Sequence, residues 1–210
     1  MTYLSGGLTP ALWGVPNIGA MISPNKGNRF DLTGLPYAAD NGCFKATSYV
    51  GDEALLRWLD TRWRDNCLFA VSTDVVGDAD ATWRRSAPML PRIRDLGFKV
   101  AYVAQDGWDA GVPDWSLFDV LFIGGTDAFK LADAGRMAVA DGRARGKAVH
   151  MGRCNSYHRL AYAAGLGCIT ADGTTIAKNP GRYTPEIRRW MARLNQPRLL
   201  DVAPANPFQP

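Results

Sequence analysis

Four side chains that can move a proton, attack carbon or hydrogen-bond a polar ring stand at the ends of short apolar runs: Asp40, Asp74, Gln105 and Asp172. Asp40 closes PYAAD and is followed by Asn41-Gly42-Cys43-Phe44. Asp74 closes LFAVSTD, Gln105 leads Gln105-Asp106-Gly107 after KVAYVA, and Asp172 lies in CITADG. Two further runs end in glycine: VLFIGG, with Gly124 and Gly125, and AVHMG, with His150, Met151 and Gly152 ahead of Arg153. A carboxylate can act as a nucleophile at an anomeric carbon, and a second carboxylate can shuttle the proton. Asp172, between the small residues Ala171 and Gly173, has room for a substrate carbon to approach and is the candidate nucleophile. Asp40 is the candidate proton carrier. Asp74 can accept two N–H groups from the amidine-like edge of a purine, and the Gln105 amide both donates and accepts. Gly124 and Gly125 offer backbone N–H groups and close approach, Met151 can pack on an aromatic ring, and Arg153 can hold a phosphate. Each has a plainer reading. Asp40 can cap a turn, Asp74 can cap the next helix, a glycine pair can simply turn the chain, and His150 can be a hydrogen-bonded interior histidine.

The elements that must carry these tips alternate. Asp52–Arg64 spaces Leu55, Leu56, Leu59 and Trp63 at helical intervals behind an acidic start. Residues 78–96 read as a second helix, with Pro88 or Pro91 as a break. A third covers 128–145 with Leu131, Met137 and Val139 turned inward. A fourth covers 156–164, capped by Asn155 or Ser156 and stopped by Gly165. A fifth runs from Pro185 to Leu194 with Thr184 as cap. Ahead of Pro36, Leu12–Val15 and Ile18–Ser23 read as one or two strands, for a total of seven or eight. Strand, polar tip and helix in repetition define a parallel α/β chain. No GxGxxG or GxxxxGK[ST] loop marks an open nucleotide-binding sheet, and the tips are spread along the whole chain. The expectation is a small (β/α)8 TIM-like barrel over residues 1–195, followed by a proline-rich tail over 196–210. Asp40, Asp74, Gln105 and Asp172 should then meet at the carboxyl ends of the strands.

Composition bounds the partners. The chain has 210 residues, 47% hydrophobic, with seven tryptophans and a net charge of +4; its pI is about 9.0. No window of about 18 apolar residues could span a membrane. The first residues, MTYLSGGLTP, lack the basic and apolar regions of a signal peptide, so the expected location is cytoplasmic. Cys43, Cys67, Cys154 and Cys168 form no CxxC pair and only two histidines accompany them, so no metal site is expected. Arginines cluster at 84–85, 92–94, 136–145 and 182–193. They suit a polyanion, or are solvated helix faces.

Taken in order, the tips resemble the tRNA-guanine transglycosylase superfamily, and most closely its small phage branch, the 7-deazaguanine DNA transglycosylases. Asp40-Asn41-Gly42-Cys43-Phe44 stands where that family has Asp-Ser-Gly-Gly-Phe. Asp74 stands in the place of its purine-reading aspartate. Gln105-Asp106-Gly107 is similar to its Gln-Gly motif with one residue inserted, Gly124-Gly125 to its Gly-Gly tip, and His150-Met151-Gly152 to its Leu-Met-Gly. Gly167-Cys168-Ile169-Thr170-Ala171-Asp172 resembles Gly-x-Asp-x-x-Asp, with Asp172 as nucleophile. The chain departs in having Gly-Cys for Gly-Gly in the first motif and in lacking the CxCxxC…H zinc module. The resemblance implies a glycosyltransferase that removes guanine from DNA and installs a free 7-deazaguanine base, 7-cyano-7-deazaguanine first among them, without cofactor. It also implies host-cell cytoplasm for a phage-encoded chain, and Arg153 and Arg182 on the DNA backbone. Two other readings of the same tips are a small-molecule nucleoside hydrolase or deoxyribosyltransferase, and a non-catalytic nucleic-acid-binding barrel.

Overall fold

The computed structural model describes residues 1–7, 9–25, 32, 34–45, 47 and 49–196. Eight parallel strands close into one barrel in chain order, β1 (Thr2–Ser5), β2 (Ile18–Ile22), β3 (Tyr37–Ala39), β4 (Cys67–Val71), β5 (Val100–Ala104), β6 (Val120–Ile123), β7 (Ala148–Met151) and β8 (Thr170–Gly173). The barrel closes by β1 pairing with β8, Leu4 opposite Asp172 and Ser5 opposite Gly173. The chain is therefore the small (β/α)8 barrel expected. Among the described residues, a single 3-10 turn at Pro10–Leu12 is the only helical element between β1 and β3. The proline-rich tail lies, from residue 197 onward, outside the described residues.

The sequence reading does not include the first strand, and Leu12–Val15 is not a strand. Thr2–Ser5 is only four residues long, and Leu12 instead ends the 3-10 turn that starts at Pro10. Every strand is buried on both faces. Leu4, Met21, Ala38, Phe69, Val71, Ala101, Val103 and Val120 fill the interior. Tyr3, Tyr37, Tyr102, Leu121, Val149 and Met151 pack outward under the helices. Gly19 faces inward, where a Cβ would fall 2.2 Å from the Pro36 carbonyl oxygen. Only glycine allows β2 and β3 to approach so closely.

The helices are α1 (Asp52–Asp60), α2 (Ala79–Ser86), α3 (Met89–Asp95), α4 (Asp127–Leu131), α5 (Asp133–Ala144), α6 (Tyr157–Leu166), α7 (Thr175–Lys178) and α8 (Pro180–Leu194). The break in the second expected helix falls ahead of Met89, with Pro88 as the cap of α3. The third is two helices, because Ala132 is extended (φ −91°, ψ −179°). Val139 is buried as expected, but Leu131 and Met137 are exposed. α6 is capped by Ser156, whose Oγ accepts from Arg159 N–H, and it runs through Gly165 to end at left-handed Gly167. α8 starts five residues earlier than expected: Asn179 caps it, Pro180 takes the first position that proline favours, and Pro185 lies inside. α8 runs down the outside of the barrel. Thr184 at its upper end meets Thr9 beyond β1, and Asn195 at its lower end accepts from the Met1 ammonium. Among the described residues, no helix is long and apolar enough to cross a membrane.

Candidate active site

A cavity of about 470 Å³ opens at the carboxyl ends of the strands, within the range of small-ligand pockets. Asp40, Asp74, Gln105, Gly124, Gly125, Gly152, Arg153 and Asp172 all line it. The barrel thus brings together residues up to 132 positions apart in the chain, counting from Asp40 to Asp172. Phe122, Val71 and Val103 give it an apolar floor. Two residues of the sequence reading lie elsewhere. Met151 is buried with the outward-facing core, one residue out of phase with the cavity, and so does not pack against an occupant. Arg182 is on exposed α8, with its guanidinium 5.1 Å from the Tyr183 ring and 3.7 Å from Glu186, and is not part of the cavity wall.

One wall is a closed hydrogen-bond cluster around Asp74. Asn41 Nδ2 donates to Asp74 Oδ1 at 2.9 Å and to the Ser72 carbonyl at 2.5 Å, while Asn41 Oδ1 accepts from Cys43 N–H at 2.7 Å. Gln105 Nε2 donates to Asp74 Oδ2 at 2.5 Å, and Gln105 Oε1 accepts from Gly77 N–H at 2.9 Å. Asp74 is 8% exposed. Burial pushes its carboxyl above the usual carboxylate range, and the Asn41 amide and Arg85 oppose that rise. Both amides are locked by backbone partners, so Asp74 is held as an acceptor. The sequence reading gives Asn41 no role of its own; the signal for it is its place directly after Asp40.

The opposite wall carries Asp172. Its Oδ1 accepts from Arg153 N–H at 3.2 Å and lies 3.0 Å from His150 Nε2. His150 is fully buried, with Nδ1 2.9 Å from Thr170 Oγ1. It is the hydrogen-bonded interior histidine of the plainer reading, and it also touches the candidate nucleophile. Arg153 has φ of 60°, a left-handed backbone uncommon outside glycine. That turn aims its N–H at Asp172 while its guanidinium donates to the Gly125 carbonyl and lies 4.8 Å from the Phe44 ring. Lys130, which the sequence does not single out, supports this tip from behind. Its buried Nζ donates to the Gly152 carbonyl at 3.0 Å, and burial pulls the ammonium below its usual range.

The two glycine tips are needed for packing as well as access. A Cβ on Gly124 would fall 2.5 Å from Val103 Cγ1, and one on Gly125 would fall 2.7 Å from Asp106 Oδ2. Gly124 N–H is not open to a ligand, because it donates to the Ala104 carbonyl at 3.0 Å. Asp106 fixes the same tip by accepting from Thr126 N–H at 2.8 Å and from its hydroxyl at 2.5 Å. The cysteines do not offer a thiolate. Burial pushes the Cys43, Cys154 and Cys168 thiols up to about 12. The charged side chains that line the cavity are Asp40, Asp74 and Asp172, with Lys45 and Arg153.

The fold and this cavity define a (β/α)8 barrel with an acidic, amide-braced mouth. No family model matches the chain, and no curated protein does. Solved structures do share its fold. A tryptophan synthase from M. tuberculosis superposes with a TM-score of 0.50 at 12% identity, over 78% of this chain and 61% of its own length. A native KDPGal structure gives 0.51 at 16% identity, covering 92% of this chain and 90% of its own. A cube-shaped protein cage designed by fusing symmetric oligomeric domains gives 0.50 at 16%, over 92% and 69%. At such identities the likeness is one of fold alone.

Proposed function

We propose that the protein is a pentosyl-transferring enzyme that exchanges guanine in DNA for a free 7-deazaguanine base. The observation that carries the reading is the joint presence, in one cavity, of two carboxylates at the tips of separate strands and a third held as an acceptor by two locked amides. Asp172 attacks C1′ with an Oδ2 lone pair, and the C1′–N9 bonding pair leaves with guanine. Asp40, protonated at the start, gives its proton to the departing base. The deazaguanine then enters, its N9 attacks C1′, the Asp172–C1′ bond breaks, and Asp40 recovers a proton from N9. Asp74 accepts from the two N–H donors on the purine's amidine edge, with Gln105 beside it and Gly125 offering a backbone approach. Gly152, where a Cβ would fall 2.7 Å from the Phe122 ring, lets that ring lie against the β7 tip beneath the base. A base inside duplex DNA must leave the stack to enter such a cavity. Arg153 at the mouth and Arg182 on α8 would meet phosphates, making affinity depend on salt. The chemistry uses side-chain carboxylates throughout and needs no cofactor.

The test is release of labelled guanine from duplex DNA on adding 7-cyano-7-deazaguanine. Asp172→Asn should abolish exchange by several orders of magnitude, the loss typical of removing a covalent catalyst. Asp40→Asn should slow turnover yet still trap a protein–DNA adduct on a denaturing gel. Exchange at the normal rate by Asp172→Asn would overturn the mechanism. Turnover of free nucleosides with none on DNA would move the reading to a small-molecule hydrolase or deoxyribosyltransferase, and DNA binding without any exchange to a non-catalytic barrel.

A further inference from the structure

The group closest to the Asp172 carboxylate is a histidine that never reaches the cavity wall. His150 and Thr170 are paired in the β7–β8 register, and Asp172 stands two residues further along β8, on the same face as Thr170. The imidazole therefore bridges the two, 2.9 Å from Thr170 Oγ1 and 3.0 Å from Asp172 Oδ1. Its ring plane is fixed by Phe122, with centroids 4.3 Å apart, and by the edge of Phe69 at 5.1 Å. A carboxylate only accepts hydrogen bonds, so Nε2 must be the nitrogen that carries hydrogen, whereas the Thr170 hydroxyl can donate to Nδ1.

We propose that His150 is a positioning residue for the candidate nucleophile. As the Nε2–H tautomer, with Nδ1 accepting from Thr170, it anchors Asp172 Oδ1 together with Arg153 N–H. Two donors on one oxygen fix the carboxylate plane and leave Oδ2 as the oxygen presented to the substrate carbon. When the glycosyl–Asp172 bond breaks, the carboxylate regains its charge against an N–H that is already in place, with no reorganisation. The kinetic part of this inference rests on the exchange reaction proposed above; the contact itself does not.

Two measurements separate these parts. The chain has only two histidines, His150 and His158, so long-range ¹H–¹⁵N spectra of the labelled protein resolve both rings. At neutral pH the expected pattern for His150 is a protonated Nε2 and a bare Nδ1. Asp172→Ala should move the Nε2 signal and leave His158 in place. A bare Nε2 in the wild type, or a His150 ring indifferent to Asp172→Ala, overturns the proposal whether or not the protein exchanges bases. In the exchange assay, His150→Phe keeps the aromatic layer and removes the donor. It should lower kcat by about 10- to 100-fold, the effect of one hydrogen bond to a charged group, with KM for the free base unchanged. His150→Gln, whose Nε2 can reach Oδ1, should recover most of the loss. Equal activity in the Phe variant and the wild type, or equal loss in Phe and Gln, refutes the positioning role. A wild-type protein that shows the tautomer but no exchange would sink the proposed reaction and leave the contact standing.

Discussion

Asp74→Asn sets two physical effects of opposite sign against each other. Burial raises the Asp74 carboxyl above its unfolded value. A carboxyl raised on folding contributes stability that is fully present below the unfolded value, and loses it as pH rises through the folded value. Burial alone would therefore make a neutral side chain the more stable one at pH 7. The neighbours reverse this. Asn41 Nδ2 cannot turn away without giving up Ser72 O and, through its own Oδ1, Cys43 N–H; Gln105 cannot turn without giving up Gly77 N–H. An asparagine at position 74 has one oxygen for two fixed donors, so its amide must face another amide N–H. Leaving a buried donor unsatisfied costs about 1–3 kcal/mol, or a melting temperature lower by roughly 2–4 °C per kcal/mol for a chain of this size. The repair follows from the same geometry. When Asp74→Asn is combined with Gln105→Glu, the new carboxylate at position 105 would accept from both the new amide at position 74 and Gly77 N–H. The amide oxygen at position 74 would then accept from Asn41 alone. The double variant should recover about 1–2 kcal/mol over additivity. Thermal unfolding of the four proteins at pH 7 tests it. A single variant that melts at or above the wild type, or strict additivity in the cycle, would refute the claim that locked amides define this wall.

Two further outcomes check the packing and the surface. Gly173→Ala places a Cβ 2.6 Å from Tyr3 Oη, 2.8 Å from Asn155 Oδ1 and 3.1 Å from the Cys154 carbonyl, and should destabilise by about 1–3 kcal/mol as overpacking does. Gly165→Ala, with nothing within 4 Å inside α6, should instead stabilise by about 0.5–1 kcal/mol; calorimetry on the pair must show opposite signs. The Arg159 guanidinium holds the exposed Asp127 carboxyl down at about 2. A depressed carboxyl contributes stability above its unfolded value and loses it as pH falls towards 2. Asp127→Asn should therefore cost under about 1 kcal/mol at pH 7, since the pair is solvent-screened, with the difference closing in urea titrations run between pH 5 and 2.

The barrel was legible because its tips are regular: β3 to β8 each end within a few residues of a polar or glycine signal. The misses have local causes. β1 is four residues with no alternation long enough to count. The helix expected across 128–145 is interrupted at Ala132, and Gly135 lets the chain fold back there, its absent Cβ lying 2.6 Å from the carbonyls of Phe129 and Lys130. Residues 128–145 carry no proline to mark that break. Arg153 could not be given its orientation from sequence, because a left-handed backbone at a non-glycine residue follows from what the surrounding tips demand.

The exchange of roles between His150 and Met151 shows where a sequence of this fold loses its information. A strand with one solvated face alternates polar and apolar residues, and the alternation gives the phase. In a closed barrel both faces are buried, so Ala148-Val149-His150-Met151 reads as an apolar run with one polar member. Placing Met151 against a ligand and His150 aside is then as consistent with the sequence as the reverse. The register resolves it: His150 opposite Thr170 puts the ring on the interior face, where Phe69 and Phe122 also lie. Met151, opposite Ala171, must then face the helices. The same shift of one residue decides whether Asp172 points into the cavity with Thr170 or out of it. The position of the candidate nucleophile and of the histidine behind it is thus one structural fact, set by the β7–β8 pairing.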